Sequence, residues 1–320
     1  MVGGGVSALA TGSPVRSAAS PTSGVPTPIK QRRIDRMTQL WARATGRRID
    51  ESAHPWLDGP NADGRGVGER FFERWAAEHD RVVREPDDAG LIADLEQLRS
   101  PAFDPDRVHP NVRDFYERSA RYALDAWSEW NPLLKPAAAA VRALFGARLQ
   151  QLNVPLRPLE TADGMTSRVA LVSRLDSDGP EFAAWTRTFE SSGMTIYAGA
   201  YSTCMPPNAG GPCVRVVFPL PNGRAVVILE PHNEPGGAVA LRSRGAAFGD
   251  PGFYFVTYNG RGKSFARYVP EMTESIVVTR RDDGRVFGDH DIRFYRRSLA
   301  TIRYRLTPRQ ADSQQPSRDR

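Results

Sequence analysis

Trp185, Arg187 and Phe189 alternate with Thr186 and Thr188, so a strand here would set two rings and a guanidinium on one face and two hydroxyls on the other. If the aromatic face turns inward, the arginine points into the protein. A guanidinium there demands an anion, either a protein carboxylate or a carboxylate or phosphate of a ligand. The competing reading is an arginine at a rim, paired or solvated, in keeping with the rarity of buried arginine. Phe265, Arg267 and Val269 pose the same choice.

His290 lies between Asp289 and Asp291. A histidine beside carboxylates suits general acid chemistry or a pH-sensitive contact, but strand neighbours point to the opposite face, so neither aspartate is placed to orient the ring. Acid and base chemistry would need a convergent pair, such as His290 or His232 with a buried tyrosine. His109 reads as a helix-start residue, and His54, before Pro55-Trp56, as loop structure.

Cys204 and Cys213 bracket the insert MPPNAGGP. Two free and partly buried thiols, a disulfide closing the loop, and a metal site or catalytic thiol all remain open. The insert itself is expected to line the mouth of the β structure, where loops often touch ligands.

Aromatic side chains crowd the second half: Tyr197, Tyr201, Phe218, Phe253, Tyr254, Phe255, Tyr258, Tyr268 and Tyr295. Packing consumes most such rings, although tyrosine also lines small-molecule pockets. The candidate ligand-contacting set is therefore Trp185, Arg187, Tyr201, Tyr254, Tyr258, Arg267 and His290, with no catalytic residue assigned. Walker, dinucleotide-binding, GxSxG, HExxH and EF-hand patterns are missing. No cofactor or metal is expected.

These residues sit in a tract of short strands punctuated by turns. Strands are expected near Arg168–Arg174, Phe182–Glu190, Thr195–Thr203, Val214–Leu220, Arg224–Glu230, Val239–Arg244, Phe253–Tyr258, Ser264–Val269, Ile276–Arg281 and Ile292–Leu306, the last with a break near Arg297–Leu299. Asn222-Gly223 and Asn259-Gly260 are strong hairpin signals, because both central positions of a type I′ turn need positive φ. Asp282-Asp283-Gly284 is a third, and Gly249-Asp250-Pro251-Gly252 reads as a tight corner. Intervals are too short for βαβ crossovers, so the meander is antiparallel.

The first half reads as helices: Ile29–Thr45, Val67–Val83, Ala89–Arg99, a helix opening at His109-Pro110-Asn111 and running to Trp130, and Pro136–Leu149. The expected fold is α+β, an antiparallel β-meander curled into a partly closed barrel and flanked by an N-terminal helical layer. The division is a disordered tail at 1–28, a helical region at 29–160, a barrel-like domain at 161–307 and a second tail at 308–320. In architecture, though not in any motif, this resembles ligand-holding barrels of the lipocalin kind.

The 320-residue chain carries a formal net charge of +6. Between Ile29 and Arg48, seven basic residues face Asp35 alone, a local excess equal to that of the whole chain, which leaves the remainder of the chain balanced. A nucleic-acid platform in the β half is thereby disfavoured. The basic helix is read as structural, with peripheral membrane contact through residues 29–48 as its alternative. No run of about 18 apolar residues exists and no secretory signal is recognisable, so a cytoplasmic protein is expected.

The functional expectation is a protein holding a small apolar molecule, with an anionic group meeting Arg187 or Arg267. Its alternatives are a cofactor-free cyclase, isomerase or lyase using the same cavity, and an interaction protein contacting a membrane surface or nucleic acid through residues 29–45.

Overall fold

The computed structural model describes residues 33–309 apart from 63–66, 131–164, 178, 191–192, 194 and 260–261. The expected helix at Pro136–Leu149 and both expected tails, but for residues 308 and 309, lie outside them.

Among the described residues the protein is mostly antiparallel β-sheet, with 14 strands and few helices. In chain order these are α1 (Arg33–Thr45), β1 (Arg47–Ile49), α2 (Phe71–Glu78), β2 (Arg81–Arg84), α3 (Pro110–Glu117) and β3 (Tyr122–Trp130). The meander follows as β4 (Met165–Arg174), β5 (Pro180–Phe189), β6 (Thr195–Cys204), β7 (Cys213–Leu220), β8 (Gly223–Glu234) and β9 (Ala238–Arg242). It continues as β10 (Phe253–Tyr258), β11 (Ser264–Tyr268), β12 (Met272–Arg280), β13 (Val286–Phe294) and β14 (Arg297–Pro308).

The main path runs β2-β4-β5-β6-β7-β8-β9-β12-β13-β14-β3. At β8 it forks, because Gly223–Val227 also pairs with β10, which continues through β11 to β1. β3 lies beside β4 without a ladder between them, so the sheet is not closed and the barrel is only partial.

Turn chemistry places the hairpins. Asn222 takes a φ of 55° ahead of Gly223 to join β7 to β8, and Gly284 takes 83° between β12 and β13. β13 and β14 are instead joined by Tyr295 and Arg296 at φ 47° and 65°, a conformation that costs a residue with a Cβ about 1–2 kcal/mol. The last expected strand pair is thus two full-length strands, and Asp289-His290-Asp291 lies inside β13 rather than before it.

Two helical expectations fail for identifiable reasons. The helix opening at Pro110 ends at Glu117, and residues up to Trp130 form β3 instead. β3 pairs with β14 along its whole length, and its outward Asp125 and Glu129 meet Arg305 and Arg303 at 2.6 and 2.9 Å. Ala89–Arg99 forms only one short 3₁₀ turn, Leu95–Leu98. Its backbone is spent elsewhere: Ile92 N–H donates to Tyr116 O, Leu91 N–H to Ser119 Oγ, and Ala89 O accepts from Ala120 N–H. The segment read as a helical layer therefore contributes β1, β2 and β3 to the sheet.

Strand alternation separates two cores. The concave face packs Val169, Val216, Leu229, Val239, Val278 and Ile302 against Leu95, Phe103, Val112 and Phe115 from the 89–121 segment. The convex face packs Val172, Ala198, Ile228 and Val256 beneath Trp56, Leu57, Phe71 and Phe72. Arg224, 1% exposed, pins the convex layer. Its guanidinium donates to Leu57 O at 2.7 Å, Asn61 Oδ1 at 3.1 Å, Glu51 Oε2 at 2.8 Å and the Tyr258 hydroxyl. Burial opposes ionisation of Glu51, but the Arg224 charge and hydrogen bonds from Ser264, Arg224 and Tyr258 outweigh it and hold that carboxyl below its ordinary value.

Replacing Arg224 with Met leaves several acceptors unpaired, so we expect Arg224→Met to cost about 2–4 kcal/mol in urea unfolding. Hydrogen exchange should quicken most over residues 51–62. Unchanged exchange there would show that the layer is held by apolar packing alone.

Candidate functional site

On the concave side, alternation brings a polar group together from six strands. Ser167 of β4 pairs with Arg187 of β5, and Arg187 with Tyr197 of β6, so these three stand in one row. Trp185, one same-face position along β5 from Arg187, and Tyr201, two along β6 from Tyr197, belong to the concave core. From the other limb come Glu274 on β12, His290 on β13 and Tyr304 on β14, each in phase with the core residues Ile276, Ile292 and Ile302.

Arg187 is buried, at 7% exposure. Its guanidinium carbon lies 3.7 Å from the Trp185 ring centroid, 5.0 Å from Tyr304 and 5.1 Å from Tyr197. It donates a hydrogen bond to the Tyr304 hydroxyl, while its Nε has no hydrogen-bond partner among the described residues. No carboxylate among those residues forms an ion pair with it. Trp185 is held in turn by its indole N–H, which donates to Ser167 Oγ at 2.8 Å.

Glycine shapes the aromatic wall. Tyr197 and Tyr201 flank Gly199 on one face and hydrogen-bond through their hydroxyls across it. A Cβ on Gly199 would come within 2.8 Å of the Tyr197 hydroxyl, so the residue must stay bare. Tyr116 of α3 is buried, its hydroxyl without a hydrogen-bond partner among the described residues, in electrostatic reach of Tyr201.

Beside this wall runs a chain of three groups. His290 Nε2 lies 3.2 Å from Glu274 Oε2, and Nδ1 lies 3.4 Å from the Tyr304 hydroxyl. The neutral tautomer that donates to Glu274 leaves Nδ1 free to accept from Tyr304. Glu274 is fixed through its backbone, which exchanges hydrogen bonds with Ser243 N–H and Oγ. A carboxylate, an imidazole and a phenol in series can pass a proton toward whatever lies against Tyr304.

Four of the seven residues expected from sequence converge here: Trp185, Arg187, Tyr201 and His290. Arg187 is interior rather than at a rim. Three do not converge. Tyr254 lies in the convex core, its hydroxyl donating to Asp250 O at 2.6 Å and accepting from Gly249 N–H. Tyr258 serves the Arg224 network. Arg267 is half-buried on β11, 5.6 Å from the Trp41 ring, and its Nε too has no hydrogen-bond partner among the described residues. Glu274, Tyr197, Tyr304, Ser167 and Tyr116 were missed; for Glu274 and Tyr304 the available signal was a polar residue at an inward position of an otherwise apolar alternation.

The flanking aspartates do leave His290 alone, Asp291 bonding Arg293 and Ser298, and Asp289 lying 3.6 Å from Arg303. His232 meets Glu230 at 3.2 Å, away from the cluster. Cys204 and Cys213 are free thiols directly opposite one another on β6 and β7, and burial pushes the Cys204 thiol up to about 12. Their insert docks by Asn208 on Gly249 and Asp250 of the convex side, not on the Arg187 cluster. Among the described residues no group of three or more His, Cys, Asp or Glu could hold a metal. In the basic helix, Arg43 turns back to donate to Tyr258 O, and Trp41 packs on Phe255.

One curated protein resembles this chain. It is from Bacillus subtilis (strain 168), bears the name Uncharacterized membrane protein YndJ, and is 25% identical over 244 residues. The match covers 76% of this chain and 42% of the relative, so the chain spans less than half the length of the protein it matches. No family profile and no solved structure matches. The expectation of a cytoplasmic protein is overturned by this likeness to a protein named for a membrane. Among the described residues no helix is long and apolar enough to cross one.

Burial raises the phenols of Tyr116, Tyr197, Tyr201 and Tyr304 above their ordinary value, with the Arg187 charge opposing it only in part for the last three. An unfolded phenol ionises near pH ~10. The folded protein then holds more protons than the unfolded one, so these groups stabilise it below that pH and the contribution is lost as pH rises beyond it. Phenolate absorbance should therefore lag and then appear in one step with loss of near-UV circular dichroism. A smooth rise in the still-folded protein would contradict this.

Proposed function

We propose that the concave side of the half-closed sheet holds a small, mainly apolar molecule whose single anionic group docks on Arg187. One observation carries the reading: a buried guanidinium ringed by Trp185, Tyr197 and Tyr304 with no carboxylate paired to it among the described residues. Desolvating an unpaired charge costs several kcal/mol, and cation–π contact returns only about 2 kcal/mol. A ligand carboxylate or phosphate would supply the missing charge and accept the unpartnered Nε–H. The surrounding rings and aliphatic side chains suit an apolar body. We carry the membrane in the relative's name to this chain as part of the same proposal, so that the protein works beside a membrane.

Native mass spectrometry followed by denaturing extraction is the direct test. The wild type should carry an acidic amphiphile, and Arg187→Met should lose it while remaining folded, since replacing a buried charge by an apolar side chain is often neutral or stabilising. Loss of ligand affinity of about tenfold or more is expected. A wild type that carries no anion and whose melting temperature is unmoved by fatty acids or alkyl phosphates would sink the reading.

The Glu274–His290–Tyr304 series favours a second reading, proton-transfer chemistry on the bound molecule without a cofactor. A carbon-bound proton would pass to the relay and a solvent proton would return, as in an isomerisation. Holding the extracted compound with the protein in D₂O should then build in deuterium, at a rate that His290→Phe abolishes. Binding without deuterium uptake would leave the protein a carrier.

A further inference from the structure

The turn between β13 and β14 departs from the chemistry its geometry prefers. The hairpin at Asn222-Gly223 and the turn at Asp283-Gly284 use the residues that tolerate positive φ, yet here Tyr295 and Arg296 occupy both such positions. Every residue from Arg293 to Ser298 is exposed. Phe294 is 41% and Tyr295 65% exposed, and their rings meet edge to face at 4.7 Å with no core beneath them. Arg293 is paired with Asp291 at 2.5 Å, whereas no carboxylate among the described residues pairs with Arg296 or Arg297. Two bare rings and two arginines without a carboxylate partner among the described residues, at a turn on the edge of the sheet, are poor choices for a solvated turn. They match an anionic lipid surface, where aromatic rings settle at headgroup depth and arginines meet phosphates.

We propose that the tip Arg293–Arg297 is a membrane-contact element that docks on anionic phospholipid. The proposal takes its setting from the membrane placement above, but its argument stands on the tip alone. The sheet fixes the tip's aim: β13 is bonded along its length to β12 on one side and to β14 on the other, and Tyr295 N–H donates to Glu271 O at 2.8 Å. The tip is chosen over α1 because Arg43 of α1 is turned to the protein and its Trp41 packs on Phe255, whereas both rings of the tip stand clear of such partners.

The test is flotation of the full chain with vesicles of phosphatidylcholine alone and of phosphatidylcholine with phosphatidylglycerol. Wild type should float with the mixed vesicles only, and high salt should release it. The double variant Tyr295→Asn with Arg296→Gly installs the favoured turn, so it should melt a few degrees (about 4 °C) higher while binding at least fivefold more weakly. Arg107→Gln, a loss of charge elsewhere, should bind as wild type. Undiminished binding by the double variant overturns the tip proposal while leaving the membrane placement standing. A wild type that floats with neither vesicle, or that retains duplex DNA in place of lipid, overturns both.

Discussion

Strand β8 is bonded to β7 on one edge and to two different strands on the other, β10 over its first half and β9 over its second. That fork is the constraint on which the architecture rests. Residues from Gly223 to Leu229 are buried without interruption, as a strand with both faces covered must be. One branch carries β10, β11 and β1 to the convex layer, where Arg224 ties down the 49–62 segment. The other bends β9, β12, β13 and β14 round until β14 faces β5 across the concave side, which is how Tyr304 comes to lie 5.0 Å from Arg187 despite their separation in sequence.

The two buried arginines show what this arrangement costs and how differently it is met. Arg224 is well matched: three acceptors from the 49–62 segment, the Glu51 carboxylate among them, and the Tyr258 phenol take up its donors, so its charge is neutralised within the fold. Arg187 has ring faces and one phenol, and its Nε has no hydrogen-bond partner among the described residues. In a low-dielectric interior an unbalanced cation raises the energy of the folded chain and of any state lacking an anion beside it. Glu274 is in the same cluster but is engaged with His290, which keeps the cation and the carboxylate of the site apart. A site that separates them can bind a negative group on one side and move a proton on the other.

How much of this was legible follows from where the information lies. Strands from β4 to β12 are readable because their turns are written in local chemistry, Asn222-Gly223 and Asp283-Gly284 above all. β3 is not, since Tyr122, Ala126 and Trp130 satisfy a helical spacing while Tyr122, Leu124, Ala126 and Ser128 satisfy a strand, and only the ladder to β14 decides between them. The same holds for Ala89–Arg99, whose leucines fit a helix until α3 claims its backbone groups. At the site, Trp185 with Arg187 was visible as a single-strand pattern. The partnership of His290 with Glu274 and Tyr304 was not, because each partner belongs to a neighbouring strand and is fixed by register, which no local spacing encodes. Tyr254 and Tyr258 fall outside the cluster for a related reason: on a sheet buried on both faces, an aromatic strand does not reveal to which face each ring turns.

The β13–β14 hairpin shows how one element can serve both ends of this arrangement. Its interior positions send His290 and Tyr304 into the concave cluster, with Gly288 left bare beneath Tyr304, where a Cβ would lie 3.2 Å from the ring. Its far end holds Tyr295 and Arg296 in a conformation that neither favours. Such strain persists only where the surroundings over-determine the backbone, and ladders on both sides of β13, that to β14 interrupted by one bulge between Ile292 and Arg293, do that. The same rigidity that aligns His290 between Glu274 and Tyr304 therefore keeps two arginines and two rings projected into solvent, so the polar interior and the exposed tip are consequences of one strand register.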